Sequence, residues 1–177
     1  MIDIYQNVLT EDVLSVIEQD FMFNFAQRKW MSSSLVWDPG IKNFISGSCV
    51  FCKVEPHIKN LIAVQLKNKI PEHDPETEEL HMQYYVWQKD SGISWHNDTG
   101  RRIAATLYLN KNWSIDFGGL FVWEDVYAEN PLQAFVPKYN SMIVNDDTTW
   151  HMVTPIATLA PENRMTIQMF ITNKDIK

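Results

Sequence analysis

The stretch "SWHNDTGRRIAATLYLN", residues 94–110, decides how the rest of the chain is read. Its second half is a β-type run, and just before that run His96 and Asp98 sit two residues apart. Strand side chains alternate between faces with period two, so on an extended segment both would leave the same face. One imidazole nitrogen and one carboxylate oxygen can then converge on a single ion. An isolated H-x-D is weak evidence, because the spacing also arises by chance. Its setting decides its meaning.

Outward from this stretch, short β-type runs recur between turn signals. They are "LHMQYYVWQ" (80–88), "ISWHND" (93–98), "GGLFVWED" (118–125), "QAFVP" (133–137), "NSMIVND" (140–146), "HMVTP" (151–155) and "RMTIQMFIT" (164–172). Such spacing predicts an all-β sandwich or barrel. The first third differs. Thr10 is placed to cap a helix that continues through Glu11 and Asp12 to about Phe25, with Val13, Leu14, Val16, Ile17 and Phe21 at helical spacing. Pro56 opens a second predicted helix, "PHIKNLIAVQLKNKI", at a position where its missing N–H costs nothing. Residues 28–44 between the helices read as extended or looped, and the acidic "PEHDPETEE" (71–79) as a surface loop and internal boundary. A helical start packed on a β-rich remainder serves as one domain over 1–177, with mixed support in 1–70 and a β core in 80–173.

Length and composition agree. A chain of 177 residues, 45% hydrophobic, is large enough to bury a core. A formal charge of −7 argues against a broad surface for nucleic acid or anionic membrane. No run of about 18 apolar residues is present that would span a bilayer. "MIDIYQNVLTEDV" has neither a basic nor an apolar leader segment, so a cytoplasmic protein is expected. Cys49 and Cys52 form a C-x-x-C on a predicted strand. Residues three apart on a strand point to opposite faces, which disfavours both a redox pair and half a zinc site.

His151, at the start of "HMVTP", is the candidate second histidine; it follows His96 by 55 residues, enough for several strands to return the chain to one pocket. His96, Asp98 and His151 would make a 2-His-1-carboxylate face with three open positions, the arrangement of non-haem Fe(II) oxygen chemistry. His57, His73 and His81 read as a helix start, a loop residue and a strand opening. Arg164 opens the last β-type run, and Thr166 shares its strand face. A guanidinium held on a rigid strand pairs bidentately with a carboxylate. An organic diacid could chelate the metal at one end and meet Arg164 and the Thr166 hydroxyl at the other. Taken alone, Arg164 would be a surface charge on an edge strand.

These residues resemble the 2-oxoglutarate and Fe(II)-dependent dioxygenases, most closely the prolyl 4-hydroxylase branch that includes the hypoxia-inducible factor and collagen prolyl hydroxylases. The resemblance covers about residues 80–173 in the family's order: "WHND", "RRIAATLYLNKNW", "GGLFVW", "VPKYNSMIVND", "HMVTPI", "RMTIQMFI". Its most specific part is "LYLN" followed within a dozen residues by Gly118-Gly119. It implies an α+β, mainly β fold with a double-stranded β-helix (jelly-roll) core and N-terminal helices packed on it. It implies His96, Asp98 and His151 as iron ligands and Arg164 as the partner of the distal carboxylate of 2-oxoglutarate. Tyr108 falls where that branch places a tyrosine on the same carboxylate, and Tyr85 falls near the family's tyrosine on the strand before H-x-D. Without the resemblance both read as core aromatics. The implied cofactors are Fe(II), 2-oxoglutarate and O2, with ascorbate as reductant. The implied reaction hydroxylates an unactivated C–H and yields succinate and CO2. An aspartate at 98 favours hydroxylation, since halogenating relatives carry a small residue there.

Two departures stand out. Arg164 follows His151 by 13 residues, farther than is usual in the branch, and "KDSGIS" lacks the usual glycine-rich spacing before H-x-D. Substrate contacts are therefore not transferred, and the substrate-binding residues stay unassigned. The likeness points to a prolyl residue in a peptide or protein, with small-molecule substrates left open, as is the oligomeric state. Trp87, Trp95, Trp113, Trp123 and Trp150 fall around the predicted site, as an aromatic groove or as packing. Nucleic-acid repair demethylases of the same superfamily are a rival, but carry a second arginine where this chain has Phe170. A non-redox cupin-type barrel binding a metal or small ligand is a rival of another class, with no use for Arg164 or Tyr108.

Overall fold

The computed structural model describes residues 1–27, 29–32 and 44–174. Over these the chain runs β1 (Ile2–Gln6), α1 (Glu11–Ala26), β2 (Met31–Ser32), β3 (Ile45–Ser46), β4 (Cys49–Lys53), α2 (Pro56–Leu66), β5 (Glu78–Trp87), β6 (Gly92–His96), β7 (Arg101–Tyr108), β8 (Phe121–Glu124), β9 (Leu132–Phe135), β10 (Ser141–Asp146), β11 (His151–Val153) and β12 (Arg164–Asn173). Seven strands form one antiparallel sheet in the order β1-β10-β7-β12-β5-β4-β2. Five form a second, in the order β3-β6-β11-β8-β9. The two sheets face each other as a double-stranded β-helix, with the helices on the outside of the larger one. The fold class expected from the sequence is the one found.

The larger sheet is buried on both faces, and its alternation assigns each residue to one of them. Ile167, Met169 and Ile171 of β12, with Leu80, Met82 and Tyr84 of β5, pack against Val13, Leu14 and Ile17 of α1 and Ile58, Ile62 and Leu66 of α2. Each such side chain, fully buried, contributes roughly 1.5–3 kcal/mol relative to exposure. The other face carries Tyr85, Trp87 and Tyr108, which meet Ile93, Phe121 and Val153 of the smaller sheet. Cys49 belongs to this inter-sheet cluster and Cys52 does not; both are buried, and neither is in a disulfide. Their strand spacing separates them, as expected.

Several boundaries differ from the sequence reading. The second helix ends at Leu66, not Ile70: the amides of Lys69 and Ile70 both donate to the Leu66 carbonyl, and Pro71 disfavours helical geometry at the residue before it. Thr10 is the N-cap of α1, but its side chain makes no cap hydrogen bond. The Gln65 side chain grips it instead, accepting from the Thr10 amide at 2.8 Å and donating to the Thr10 hydroxyl at 2.9 Å. That contact ties the start of α1 to the end of α2. β1 has no counterpart in the sequence reading; it pairs with β10 at the edge of the larger sheet. His81 lies inside β5 rather than opening it. Of the region 28–44, Met31–Ser32 is extended, and 28 and 33–43 lie outside the described residues. No described helix is long and apolar enough to cross a membrane.

Asn140, in the turn before β10, fastens that turn to the link between β1 and α1 and to the end of β7. Its backbone is left-handed (φ 55), and its side chain accepts from the Leu9 amide and donates to the Leu9 carbonyl, both at 2.9 Å. Its own amide donates to the Tyr108 carbonyl at 3.0 Å. Replacement Asn140→Ala loses two buried hydrogen bonds and adds backbone strain. The expected cost is about 3 kcal/mol, read as a lowered denaturant midpoint at unchanged slope.

Candidate active site

β6, β11 and β8 lie side by side, with His151 directly across from His96 on one flank and from Trp123 on the other. Cross-strand partners share a face, so both imidazoles project between the sheets, with ring centroids 4.3 Å apart. Asp98 is not on the strand, as the H-x-D argument assumed; it lies two residues past β6, in the turn leading to β7. The three side chains are buried, and donor atoms from each lie within 4.8 Å of one another. Among the described residues this is the only such group. His151 Nε2 and Asp98 Oδ2 are 3.6 Å apart. An octahedral ion with bonds of about 2.1 Å sets neighbouring donors about 3 Å apart, so only a small inward adjustment is needed.

The surroundings fix which atoms face the ion. His96 Nδ1 is 2.8 Å from the Ser94 carbonyl, and His151 Nδ1 is 2.9 Å from the Thr149 carbonyl. A carbonyl only accepts, so each Nδ1 carries the proton and each Nε2 presents its lone pair. Burial, reinforced by His151, pushes the His96 imidazole below its ordinary value and favours the neutral, ligating form. Arg101 Nη1 donates to Asp98 Oδ1 at 2.8 Å, and Asn145 Nδ2 donates to Asp98 Oδ2 at 3.3 Å. With Oδ1 committed to a guanidinium, the carboxylate turns Oδ2 toward the histidines. Phe121 stacks on the His151 ring at 4.8 Å, closing one side with an apolar wall.

A second group lies deeper. Tyr85, Thr166 and Tyr108 form one register row across β5, β12 and β7, and Arg164 pairs with Trp87 in the next row. Arg164 and Thr166 are fully buried. All three guanidinium nitrogens, the Thr166 hydroxyl and the Tyr108 hydroxyl lack a hydrogen bond of sound geometry among the described residues; the guanidinium has the Tyr108 phenol close by, which is no anion. The guanidinium sits 5.1 Å from the Tyr108 ring centroid. Burial lowers the Arg164 pKa, with Tyr108 opposing, and burial raises that of the Tyr108 phenol, with Arg164 opposing. A desolvated cation with no anion beside it is costly. The donor set, one guanidinium and two hydroxyls, is what a carboxylate requires.

Gly119 makes room for this arginine: at φ +64, an added Cβ would stand 2.8 Å from Arg164 Cδ. The Gly118-Gly119 pair singled out in the sequence therefore acts on the arginine. The cavity at the metal face, about 50 Å3, is lined by Tyr85, Trp87 and Phe170 among others, and does not reach Arg164, Thr166 or Tyr108. Tyr85 stands between the two groups, its hydroxyl donating to Gln83 Oε1 at 2.8 Å.

The model of the 2OG-Fe(II) oxygenase superfamily matches residues 82–172, half of the chain, and spans every residue of both groups. The chain belongs to this superfamily. No curated protein sequence matches it. Among solved structures, a prolyl-4-hydroxylase from Pseudomonas putida is 13% identical, with 98% of this chain and 92% of that chain covered and a TM-score of 0.66. A prolyl hydroxylase from Trichoplax adhaerens, in complex with a hypoxia inducible factor peptide fragment, is 15% identical over 97% of this chain and 83% of that one, at a TM-score of 0.71. HygX from Streptomyces hygroscopicus, with nickel and 2-oxoglutarate bound, is 11% identical over 97% and 82%, at 0.66. At such identities the likeness is one of fold, and it extends through the N-terminal helices as well as the β core.

In this oxygenase the sequence-predicted residues fall into two neighbouring sets, His96–Asp98–His151 and Arg164–Thr166–Tyr108, with Tyr85 between. The sequence reading missed two positioning residues, Arg101 and Asn145. The signal for Asn145 was a polar residue at an inward position of the otherwise apolar "MIVN". The five tryptophans do not form one groove: Trp87 lines the metal cavity, Trp113 Nε1 donates to the Gly118 carbonyl, Trp123 and Trp150 line a separate surface groove, and Trp95, half-buried on β6, lines neither. Phe170, in place of a second arginine, lies under the Arg101 guanidinium at 4.3 Å.

An unpartnered buried guanidinium makes a prediction opposite to the usual one for a core substitution. Arg164→Met keeps the stem and removes the charge, and should stabilise the ligand-free protein by about 1–3 kcal/mol, read as a raised melting temperature. An unchanged or lowered value would mean that the arginine is matched by a partner in solution.

Proposed function

We propose that this oxygenase hydroxylates an unactivated C–H bond of a prolyl residue in a peptide or protein, using Fe(II), 2-oxoglutarate and O2 and releasing succinate and CO2. The supporting observation is the pairing of a three-donor face with a buried, unpartnered arginine a few side chains away. His96 and His151 would hold the metal through Nε2, and Asp98 through Oδ2. Arg164, Thr166 and Tyr108 would receive the distal carboxylate, and Tyr85 would line the path between. The donor sets fit both groups: imidazole and carboxylate suit Fe(II), and a fork of N–H donors with flanking hydroxyls suits a carboxylate.

When bound, the metal would activate O2, which supplies the oxidising power, and the oxoacid would give up two of the electrons as it is decarboxylated to succinate, with ascorbate keeping the iron ferrous; the protein supplies position and exclusion. The Ser94 and Thr149 carbonyls hold the ligand tautomers. Arg101 and Asn145 hold Asp98 in one orientation. Phe121, Ile93 and Val153 keep that side of the cavity dry, and Phe170 and Gln168 line it on the larger sheet. A substrate C–H would approach from the Phe170 side, because the opposite end of the cavity leads toward Arg164. A cupin-type binding barrel gives no reason to bury a cation without a partner.

The test is succinate formation with Fe(II), ascorbate, O2 and 2-oxoglutarate, beside calorimetric binding of 2-oxoglutarate to the Mn(II)-loaded protein. The wild type should form succinate slowly without substrate, and Asp98→Ala should not. Arg164→Met should retain the metal yet lose at least about thirtyfold in 2-oxoglutarate affinity, as expected when a buried charge pair loses one member. Failure of the wild type to bind 2-oxoglutarate at all would overturn the reading. Asn145→Ala, which removes the hydrogen bond to Asp98 together with one to the Asp146 carbonyl, should weaken Mn(II) binding about tenfold and leave the fold intact.

A further inference from the structure

A groove of about 630 Å3 runs beside the site, between the edge strand β1 and the segment after β8. Its walls include Ile2, Ile4, Trp123, Val126, Tyr127 and Trp150. Several are unusually open for apolar groups: Tyr127 is 97% exposed, Val126 69% and Trp150 46%. Asp3, Glu124 and Asp125 line the same groove, and no lysine or arginine does. None of the three carboxylates forms an ion pair among the described residues; Asp125 only accepts from the Tyr127 amide. The one cationic group present, the Met1 ammonium, is already held by Asp146 at 2.7 Å.

The groove shares its strands with the site. Trp123 is the direct cross-strand partner of His151, and Ile2 is that of Asn145, which holds Asp98. β1 is outermost in its sheet, so its outer edge has no strand partner among the described residues. Aromatic faces and unmatched carboxylates together attract ammonium and guanidinium groups, and a bare strand edge accepts an extended backbone. Because the groove lies alongside the metal face rather than within it, a molecule small enough to react there would leave the groove empty. An occupant of both must be extended.

We propose that this groove docks the flank of a peptide substrate that carries lysine or arginine, while the reacting residue of the same peptide reaches the His96–Asp98–His151 face. The proposal rests on the oxygenase reading above and assigns the charge and length of its substrate.

The experiment uses the full chain loaded with Mn(II) and 2-oxoglutarate, and two fluorescein-labelled peptides with the same central proline, one flanked by lysines and one by glutamates. Anisotropy should show the lysine peptide binding and the glutamate peptide not. Glu124→Lys combined with Asp125→Asn should weaken the lysine peptide about tenfold, the sum of two rim charges. Tyr127→Ala, at a side chain open to solvent and hence harmless to folding, should weaken it about threefold. Equal binding of both peptides, or no change in either variant, would overturn the proposal. So would displacement by spermidine at concentrations equal to those of the peptide, which would make the occupant a small polyamine. Succinate formation in the Fe(II)-loaded wild type reads the oxygenase separately: its failure with peptide binding intact would sink the reaction and leave the groove.

Discussion

Ten consecutive residues of β12 pair with β5 on one side, and seven of them pair with β7 on the other. Because strand side chains alternate, this double pairing sorts the strand into two sets. Ile167, Met169 and Ile171 go to the helices; Arg164, Thr166, Gln168 and Phe170 go to the inter-sheet space. A slip of one residue would bury Arg164 against α1 and present isoleucines to the metal face. The helices make such a slip expensive, since each apolar residue turned away from α1 and α2 would forfeit roughly 1.5–3 kcal/mol. The helix-side core thus holds the register on which the polar face depends.

That polar face works against stability. Arg164, Thr166 and Tyr108 bury donors with no anion to receive them, and the two histidines with the held Asp98 are organised for a cation. Such groups persist only where surrounding packing over-determines them. Gly119 shows how closely the packing is adjusted: the absence of one methyl lets the backbone lie against the arginine stem. Isolating the guanidinium from water also strengthens any ion pair it later makes, because the local dielectric is low.

From residue 80 onward the strands were legible, with boundaries within three residues of those found, because each run buries both faces or alternates between turn residues. The clustering of His96, Asp98 and His151 was legible only as an ensemble: the spacing of His96 and Asp98 carried little, and Asp98 reaches the cluster from a turn rather than from strand alternation. Period two put Thr166 on the face of Arg164, but Arg164 alone read as a surface charge and Tyr108 as a core aromatic, so the pairing of either with a carboxylate needed the rest of the ensemble and the family likeness. β1 was not legible. Five residues on a sheet edge carry too few apolar positions to stand out, and their pairing with β10 spans nearly the whole chain. The contacts of Arg101 and Asn145 to Asp98 were hidden for a related reason: they join a turn to strands at different sequence distances, and no local pattern encodes that.

The smaller sheet imposes a different constraint. β11 has only three residues, yet it lies between β6 and β8 and brings His151 level with His96 and Trp123. A strand so short cannot hold register by its own hydrogen bonds. Gly92 and Gly118 provide the grip: a Cβ on Gly92 would approach the Val153 carbonyl to 2.7 Å, so β6 and the end of β11 meet backbone to backbone. Gly118 bridges Ile156 just beyond β11. The close contact at the far end of β11 is matched at its His151 end by a backbone bond, the Glu124 amide donating to the Trp150 carbonyl at 3.2 Å, and that end lies beside the groove. Variation in the side chains of Glu124, Tyr127 or Trp150 can therefore change what approaches the site without moving His151, because the histidine is held by backbone pairing with β6 and β8 and by the glycine contacts beyond Val153, none of which uses those side chains.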